Sequence, residues 1–250
     1  MNKRALLIGL SYNGSSVELT GTINDVQTFK KLLIDIYGYN ESEIFIMTDK
    51  EPKDSNLYPS KKNIIYELSK LVSNSSSGDK IVFFYSGHGI RAKNDECLYP
   101  AGGNGSTQRH NLLCDNEMRD IVYNIKKGVT FNIVLDCCHS QAIFDLHYYL
   151  VFIKKNEYMM KTSDAPAIDR AIVRMFSSCL TEQVSYDVKV ENRLASGVFT
   201  RAIDNILRNK SKNITSTDLL AYCTQETEKY KQTPQMSFSN MSGVNTYFTL

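Results

Sequence analysis

The chain has 250 residues, of which 42% are hydrophobic and 22% are charged, with a formal net charge of +2. Such a chain can bury one core of ordinary globular composition, and its nearly balanced charge argues against binding to nucleic acids or anionic membranes. No apolar stretch approaches the roughly 18 residues that a membrane span needs. The apolar start of the chain is too short for a signal peptide and is predicted to be a buried strand.

The first half alternates strand and helix patterns. Polar and glycine-containing turns separate the segments, and this rhythm predicts a parallel sheet covered by helices. The predicted strands are Arg4–Leu10, Glu43–Thr48, Ile81–Tyr85 and Phe131–Leu135, and the predicted helices begin near Thr22 or Asn24, near Ser60 and near Asp115.

The second half is less regular. Residues 154–169 are polar and weakly periodic, which predicts a long loop or linker. After it we expect a strand at Ala171–Ser177, helices at Gly197–Asn209 and Thr215–Tyr230, and a closing strand at Thr246–Leu250. The predicted organisation is therefore one domain with a large part (1–153), a linker (154–169) and a small part (170–250).

The cysteine pattern indicates neither a disulfide framework nor a zinc site. Six cysteines are present, two of them adjacent, and none forms a C-x-x-C pair. Three consecutive residues, Cys137 to His139, cannot all chelate one ion, because neighbouring side chains on an extended chain point in opposite directions. A reducing, cytoplasmic location is the expectation from this pattern.

Two apolar strands end abruptly at reactive residues, IVFFYSGHG (81–89) and FNIVLDCCHS (131–140). In a parallel sheet such ends lie at one edge, so His88 and Cys138 are expected to meet there as base and thiol nucleophile. Alternation places Cys138 on the same side as Asp136, which favours it over Cys137. The amides of Gly89 and Cys138 could form an oxyanion hole. The alternatives are a turn histidine and a buried structural thiol.

In these motifs the chain resembles a type I metacaspase, a member of the caspase-like clan of cysteine peptidases. The resemblance covers nearly the whole chain through RALLIGLSYN, LTGTINDVQTFKKLL, FFYSGHG, NDECLYP, VLDCCHS followed by AIFDL, SSCLTEQVSYD and QTPQMS. It implies the caspase-hemoglobinase fold, an α/β fold with a mostly parallel sheet of six or more strands flanked by helices. It also implies a monomer, and it places His88 and Cys138 at the catalytic dyad positions.

The resemblance further implies cleavage after Arg or Lys. Asp25, Ser86 and Asp136 match the positions of the pocket for the side chain before the cleaved bond, the S1 pocket. Two carboxylates there would bind a guanidinium or ammonium group and repel an acidic side chain. Thr22 stands where the family often has cysteine.

Calcium activation is implied in the same way. The matching positions are Asp95, Asp115, Asn116 and Asp145, and oxygen ligands from separate loops suit this ion. Asn116 replaces the usual aspartate and removes one charge. An alternative interpretation of Asp115 and Asn116 is a helix cap.

Self-cleavage in the linker is a further expectation, with Lys154, Lys155 and Lys161 as candidate sites. The chain starts directly at the first strand, so we expect no N-terminal prodomain. Two rival hypotheses are a catalytically silent scaffold with the same fold and a calcium-responsive interaction protein.

Overall fold

The computed structural model describes residues 1–93, 95–103, 108–140, 142–154, 157–178, 187–188, 195–210, 214–244 and 246–250, with the backbone alone for residues 152, 154, 187 and 188. The strands are β1 (Lys3–Gly9), β2 (Ile44–Thr48), β3 (Lys80–Ser86), β4 (Gly89–Ala92), β5 (Asp95–Leu98), β6 (Leu113–Cys114), β7 (Thr130–Asp136), β8 (Tyr148–Lys154), β9 (Glu157–Thr162), β10 (Ile172–Ser177), β11 (Asp187–Val188), β12 (Ser196–Gly197) and β13 (Gln235–Phe238). The α-helices are α1 (Thr22–Asp35), α2 (Lys61–Ser73), α3 (Asp115–Val122), α4 (Val198–Asn209) and α5 (Ser216–Thr227).

One eight-stranded sheet, in the order β2-β1-β3-β7-β10-β13-β8-β9, forms the centre of the molecule. Strands β2, β1, β3, β7 and β10 are parallel, and β13, β8 and β9 each run antiparallel to the preceding strand in this order. The parallel strands are continuous apolar runs because both of their faces are covered. The α/β fold with a mostly parallel sheet of six or more strands is thus confirmed.

Helices cover both faces of this sheet, and alternate residues of each strand contribute to two cores. Phe83 and Tyr85 of β3 pack with residues of α2 and α3, whereas Val82 and Phe84 pack with residues of α1, α4 and α5. This is the two-residue period of a strand that is buried on both sides. The carboxyl ends of the parallel strands all lie at the same end of the sheet, where the loops that follow them can bring reactive side chains together.

A small antiparallel sheet, β4-β5-β6, lies beyond the end of β3. Its register places Cys97 directly opposite Cys114, and the two form a disulfide. The cysteine pattern had indicated no disulfide, and that interpretation was wrong. The two cysteines are 17 residues apart in sequence, and only the pairing of β5 with β6 makes them neighbours.

The predicted loop over 154–169 is also wrong in part, because its first half belongs to a hairpin. Strand β9 pairs with β8 at the edge of the central sheet. Most of its side chains are exposed, so it lacks the apolar alternation that marks a half-buried strand. Strands from both predicted parts of the chain share this sheet, while the boundaries at 153 and 170 stay predictions.

The predicted closing strand at Thr246–Leu250 does not form. The segment instead makes one isolated bridge, between Tyr247 and Thr215, and the Phe248 N–H donates to the Ile214 carbonyl at 2.8 Å. In addition, Asn132 Nδ2 donates to the Thr249 carbonyl at 2.9 Å. The strand next to β10 is β13, which the sequence analysis missed. Among the helices that the structure describes, none is both long and apolar enough to cross a membrane.

Candidate active site

Strands β3 and β7 lie side by side and end at the same level. Their register pairs Ser86 with Asp136, so His88 and Cys138, each two residues further on, leave the sheet at neighbouring points. A Cβ added at Gly89 would lie 1.8 Å from the Cys138 carbonyl oxygen. Only glycine permits such a close approach. The structure therefore brings the two predicted dyad residues and Gly89 together.

The imidazole of His88 is oriented by a backbone carbonyl. Its Nε2 lies 2.7 Å from the Val17 carbonyl oxygen. Because a carbonyl oxygen only accepts hydrogen bonds, this contact places a proton on Nε2. Nδ1 is then the nitrogen that can accept a proton from a thiol or water and deliver it to an amine.

Two buried tyrosines hold the backbone of His88. The His88 N–H donates to Tyr12 Oη at 3.0 Å, and Tyr85 Oη donates to the His88 carbonyl at 3.0 Å. The Tyr12 ring also packs on the imidazole, with the ring centroids 4.9 Å apart. Burial raises the pKa of both phenols above the usual range, so both keep their protons.

The two adjacent thiols differ in exposure. Cys137 is 1% exposed, and burial raises the pKa of its thiol well above the usual value. Cys138 is only half-buried. The next residue, His139, has a φ of 47°, in the left-handed region, and this turns the chain away from the β7 direction. Of the two, Cys138 is the thiol that a substrate can reach.

Asp25 and Asp136 are buried beside each other although both are acidic, with exposed fractions of 0% and 5%. The Gly197 backbone lies against both carboxyl groups, since an added Cβ would lie 2.1 Å from Asp136 Oδ2 and 3.1 Å from Asp25 Oδ2. Burial, and then the charge of Asp136, raises the pKa of Asp25 to about 8. The pair therefore holds a proton near neutral pH that a bound cation would displace.

Hydrogen-bond donors from distant parts of the chain fix this acidic pair. Asp25 accepts from Ser86 Oγ at 2.8 Å and from the Gly197 N–H at 2.9 Å. Asp136 accepts from the N–H and Oγ1 of Thr200 at 2.9 and 2.7 Å. Thr200 lies in the first turn of α4, where the helix dipole favours a negative charge.

Several residues of this site were missed by the sequence analysis. Val17 contributes only a carbonyl oxygen, for which no side-chain signal exists. Tyr85 was predicted only as the last residue of a buried strand, and no role was predicted for Tyr12. Gly197 and Thr200 were visible as the start of a predicted helix, but a contact with Asp25 across 172 residues leaves no local pattern.

Two of the four predicted calcium ligands form ion pairs with arginines. Asp95 Oδ2 lies 2.5 Å from Arg109 Nη1, and Asp145 Oδ2 lies 3.0 Å from Arg119 Nη1. In the part of the chain described, no three His, Cys, Asp or Glu side chains lie close enough together to hold a metal.

The other two ligand candidates lie at the start of α3. Asp115 accepts a bond from the Asn116 N–H at 2.7 Å, and Asn116 itself is exposed. The pKa of Asp115 is raised by burial and, to a smaller extent, by the charge of Asp95, so these two carboxyl groups are near each other. The arrangement therefore does not fit a calcium ion unless Arg109 and Arg119 move away.

The candidate self-cleavage sites lie in or beside the β8–β9 hairpin. Lys161 is exposed in β9 opposite Tyr149, and Lys154 ends β8. Lys155 lies outside the described residues. A cut after Lys161 would require β9 to detach from the sheet edge, since peptidases act on extended, accessible segments.

The eight-stranded, mostly parallel sheet flanked by helices has the arrangement of the caspase-like fold. A solved structure supports the fold: the crystal structure of protein GSU0716 from Geobacter sulfurreducens matches 100% of this chain and 99% of that chain with a TM-score of 0.70. The sequence identity is 18%, so this likeness concerns the fold alone.

Residues 3–147, more than half of the chain, match the family model described as "Metacaspase, peptidase C14 domain", and the chain therefore belongs to this family. Metacaspase-8 of Arabidopsis thaliana is 40% identical over 57% of this chain and 38% of its own length. Metacaspase-1 of Eremothecium gossypii is 29% identical over 100% of this chain and 66% of its own length. The chain thus spans less than two thirds of either relative.

Proposed function

We propose that the chain is a cysteine endopeptidase with Cys138 as nucleophile and His88 as acid and base. The observation that carries the proposal is the half-buried Cys138 beside an imidazole whose tautomer is set by Val17. The buried Cys137 cannot take this role, because burial keeps its thiol protonated and out of contact with a substrate.

The reaction proceeds in two balanced steps. His88 Nδ1 takes the Cys138 proton, and the thiolate attacks the carbonyl carbon of the substrate. The C–N bond then breaks while His88 returns the proton to the leaving amine, and a thioester remains. In the second step His88 deprotonates water, the hydroxide attacks the thioester, and the free acid and the Cys138 thiol are regenerated. Amides of Gly89 and Cys138 are proposed to stabilise the oxyanion.

The preferred residue before the cleaved bond is proposed to be Arg or Lys. Asp25 and Asp136 provide the acidic pocket, and Ser86 orients Asp25. An acidic side chain would be repelled there, whereas a guanidinium group could bind a carboxylate through two hydrogen bonds.

Fluorogenic peptides that differ only in Arg, Lys or Asp before the cleaved amide test this proposal. Cys138→Ala should reduce cleavage to below about a thousandth of the wild-type rate, whereas Cys137→Ala should retain most activity. Asp136→Ala should raise the KM for the Arg peptide about thirtyfold, since a buried charge contact is lost. The matched control is Asp120→Ala, an exposed aspartate.

The same assay distinguishes the rival functions. No cleavage of any peptide by the wild-type chain would favour a silent scaffold. Cleavage that survives in Cys138→Ala but not in Cys137→Ala would reverse the assignment of the nucleophile. Equal rates on Arg and Asp peptides would contradict the acidic pocket.

Calcium stimulation is proposed only with a rearrangement. Asp95, Asp115, Asn116 and Asp145 could supply oxygen ligands if Arg109 and Arg119 release two of the carboxylates, and the ion would then hold their loops together. No step of the cleavage reaction passes through the ion.

The proposal also includes self-cleavage, at Lys154, Lys155 or Lys161. The protein is further proposed to be monomeric and cytoplasmic. Edge strand β9 carries the exposed charges of Glu157 and Lys161, which disfavour pairing with a second sheet edge. The Cys97–Cys114 disulfide is the feature that opposes a cytoplasmic location.

A further inference from the structure

A cavity of about 580 Å³ opens beside His88, between the loops that follow β1 and β2 and the chain after β5. Two of its lining residues contact the imidazole directly: Val17 accepts the Nε2 hydrogen bond, and Tyr12 packs on the ring. The cavity therefore adjoins the proposed catalytic centre through these two residues, and none of the residues of the acidic pocket lines it.

The cavity and the acidic pocket lie on opposite faces of the central sheet. Asp25 belongs to α1 and Thr200 to α4, which cover one face, whereas Tyr12, Tyr58 and Tyr99 pack into the core under α2 and α3 on the other. A peptide whose basic side chain enters the acidic pocket would pass over the carboxyl ends of β3 and β7, at His88 and Cys138. It would then continue toward the cavity.

The proposed chemistry determines which end of the peptide reaches the cavity. His88 delivers its proton to the leaving amine, so the leaving segment must lie against the imidazole. The walls of the cavity begin with the two residues that hold this imidazole. We therefore expect the residues after the cleaved bond, P1′ and P2′, on the side of the thiol where His88 and the cavity lie.

The lining of the cavity carries more negative than positive charge. Asp49 and Glu51 are its acids and Lys53 is its basic residue. Among the described residues, neither carboxylate is ion-paired with a lysine or arginine. Asp49 accepts from the N–H and Oγ of Ser11 at 3.0 and 2.9 Å and from the Tyr12 N–H at 2.5 Å, which fixes this carboxylate in the cavity wall.

One buried hydroxyl in the cavity wall has no hydrogen-bond partner among the described residues. Tyr99 is 6% exposed, and its Oη forms no hydrogen bond with any described residue. A buried hydroxyl is normally hydrogen-bonded, so this oxygen can serve a polar group of a bound segment.

We infer that this cavity binds the peptide on the leaving side of the cleaved bond and selects a Lys or Arg at P1′ or P2′. The inference rests on the proposed peptidase function and extends it to a second site of recognition. The chain would then favour substrates with basic residues on both sides of the cut.

Internally quenched peptides with Arg before the cleaved bond and Lys, Gln or Glu at P1′ and P2′ test this inference. In the wild-type chain kcat/KM should be about tenfold higher for Lys than for Glu, with Gln between, as expected for one partly exposed ion pair gained and one repulsion avoided. Glu51→Gln should reduce this ratio to about threefold. The matched control Asp54→Asn changes an exposed acid of the same loop and should leave the ratio unchanged.

A fluorogenic Arg amide, which has no residues after the cleaved bond, separates the two proposals. If the wild-type chain does not cleave it, the peptidase proposal fails. If the amide is cleaved but Lys and Glu peptides react equally, or if Asp54→Asn lowers the ratio as much as Glu51→Gln, the cavity inference is overturned. Thermal melting of both variants checks that they are folded.

Discussion

Asp25 and Asp136 place two carboxyl groups in a site that water scarcely reaches. The pKa of Asp25, raised to about 8, makes both the free energy of unfolding and the affinity for an Arg peptide depend on pH. Below pH of about 4 this carboxyl is protonated in both the folded and unfolded chain. As the pH rises toward 8, only the unfolded chain releases the proton, so the free energy of unfolding falls across that window.

The affinity for an Arg peptide should instead increase as the pH rises. The guanidinium needs the ionised pocket, so its dissociation constant should fall more than about tenfold between pH 6 and pH 8 and level off above that. Calorimetric titration of Cys138→Ala with an uncleaved Arg peptide measures this directly. The slope should vanish in Asp25→Asn, and a slope that persists in that variant would assign the proton to another group.

Tyr12 illustrates a residue that acts through another one. In Tyr12→Phe the His88 N–H loses its acceptor, and the imidazole loses part of its orientation. We expect kcat for an Arg peptide to fall about tenfold with less than a twofold change in KM, since a lost buried hydrogen bond costs about 1–3 kcal/mol. Tyr39→Phe is a matched control, because the buried Tyr39 Oη has no described partner.

At the scale of elements, α3 and the neighbouring loops are held by arginine–carboxylate pairs where calcium binding was predicted. Arg119→Gln frees Asp145, and removal of this competing cation should strengthen calcium binding by up to about fivefold, the value of a partly exposed ion pair. Calorimetry with calcium alone measures the change without an activity assay. Arg208→Gln, which breaks comparable pairs with Asp35 and Asp204 elsewhere, should leave calcium affinity unchanged.

Most of the candidate site that could be predicted from the sequence was predicted from the ends of two strands. Apolar runs with abrupt polar ends located β3 and β7, and parallel pairing then placed His88 near Cys138. Edge strands were less visible: β9 has mostly exposed side chains, and β13 has four buried residues without alternation. Contacts such as Gly197 with Asp25 depend on how helices dock, which no local pattern encodes.

For the whole molecule, the Cys97–Cys114 disulfide closes a segment that includes Tyr99, Gly102 and Gly103 of the cavity wall. Closing a loop of this length stabilises a chain by about 3 kcal/mol through the entropy of the unfolded state. Urea unfolding with and without reductant should therefore differ by about 2–4 kcal/mol in the free energy of unfolding. In a Cys97→Ser/Cys114→Ser chain the reductant should have no effect.

The position of β13 in the sheet has a consequence for how the chain is made. β13 lies between β10 and β8, so the β8–β9 hairpin can join the sheet only after residues 235–238 have been synthesised. During synthesis this hairpin, with Lys154 and Lys161, leaves the ribosome long before β13 does. Until β13 has formed, the hairpin has no strand of the central sheet to pair with. The nascent chain therefore exposes its candidate cleavage sites at a stage when the acidic pocket is also unfinished, because Gly197 and Thr200 emerge later than the hairpin.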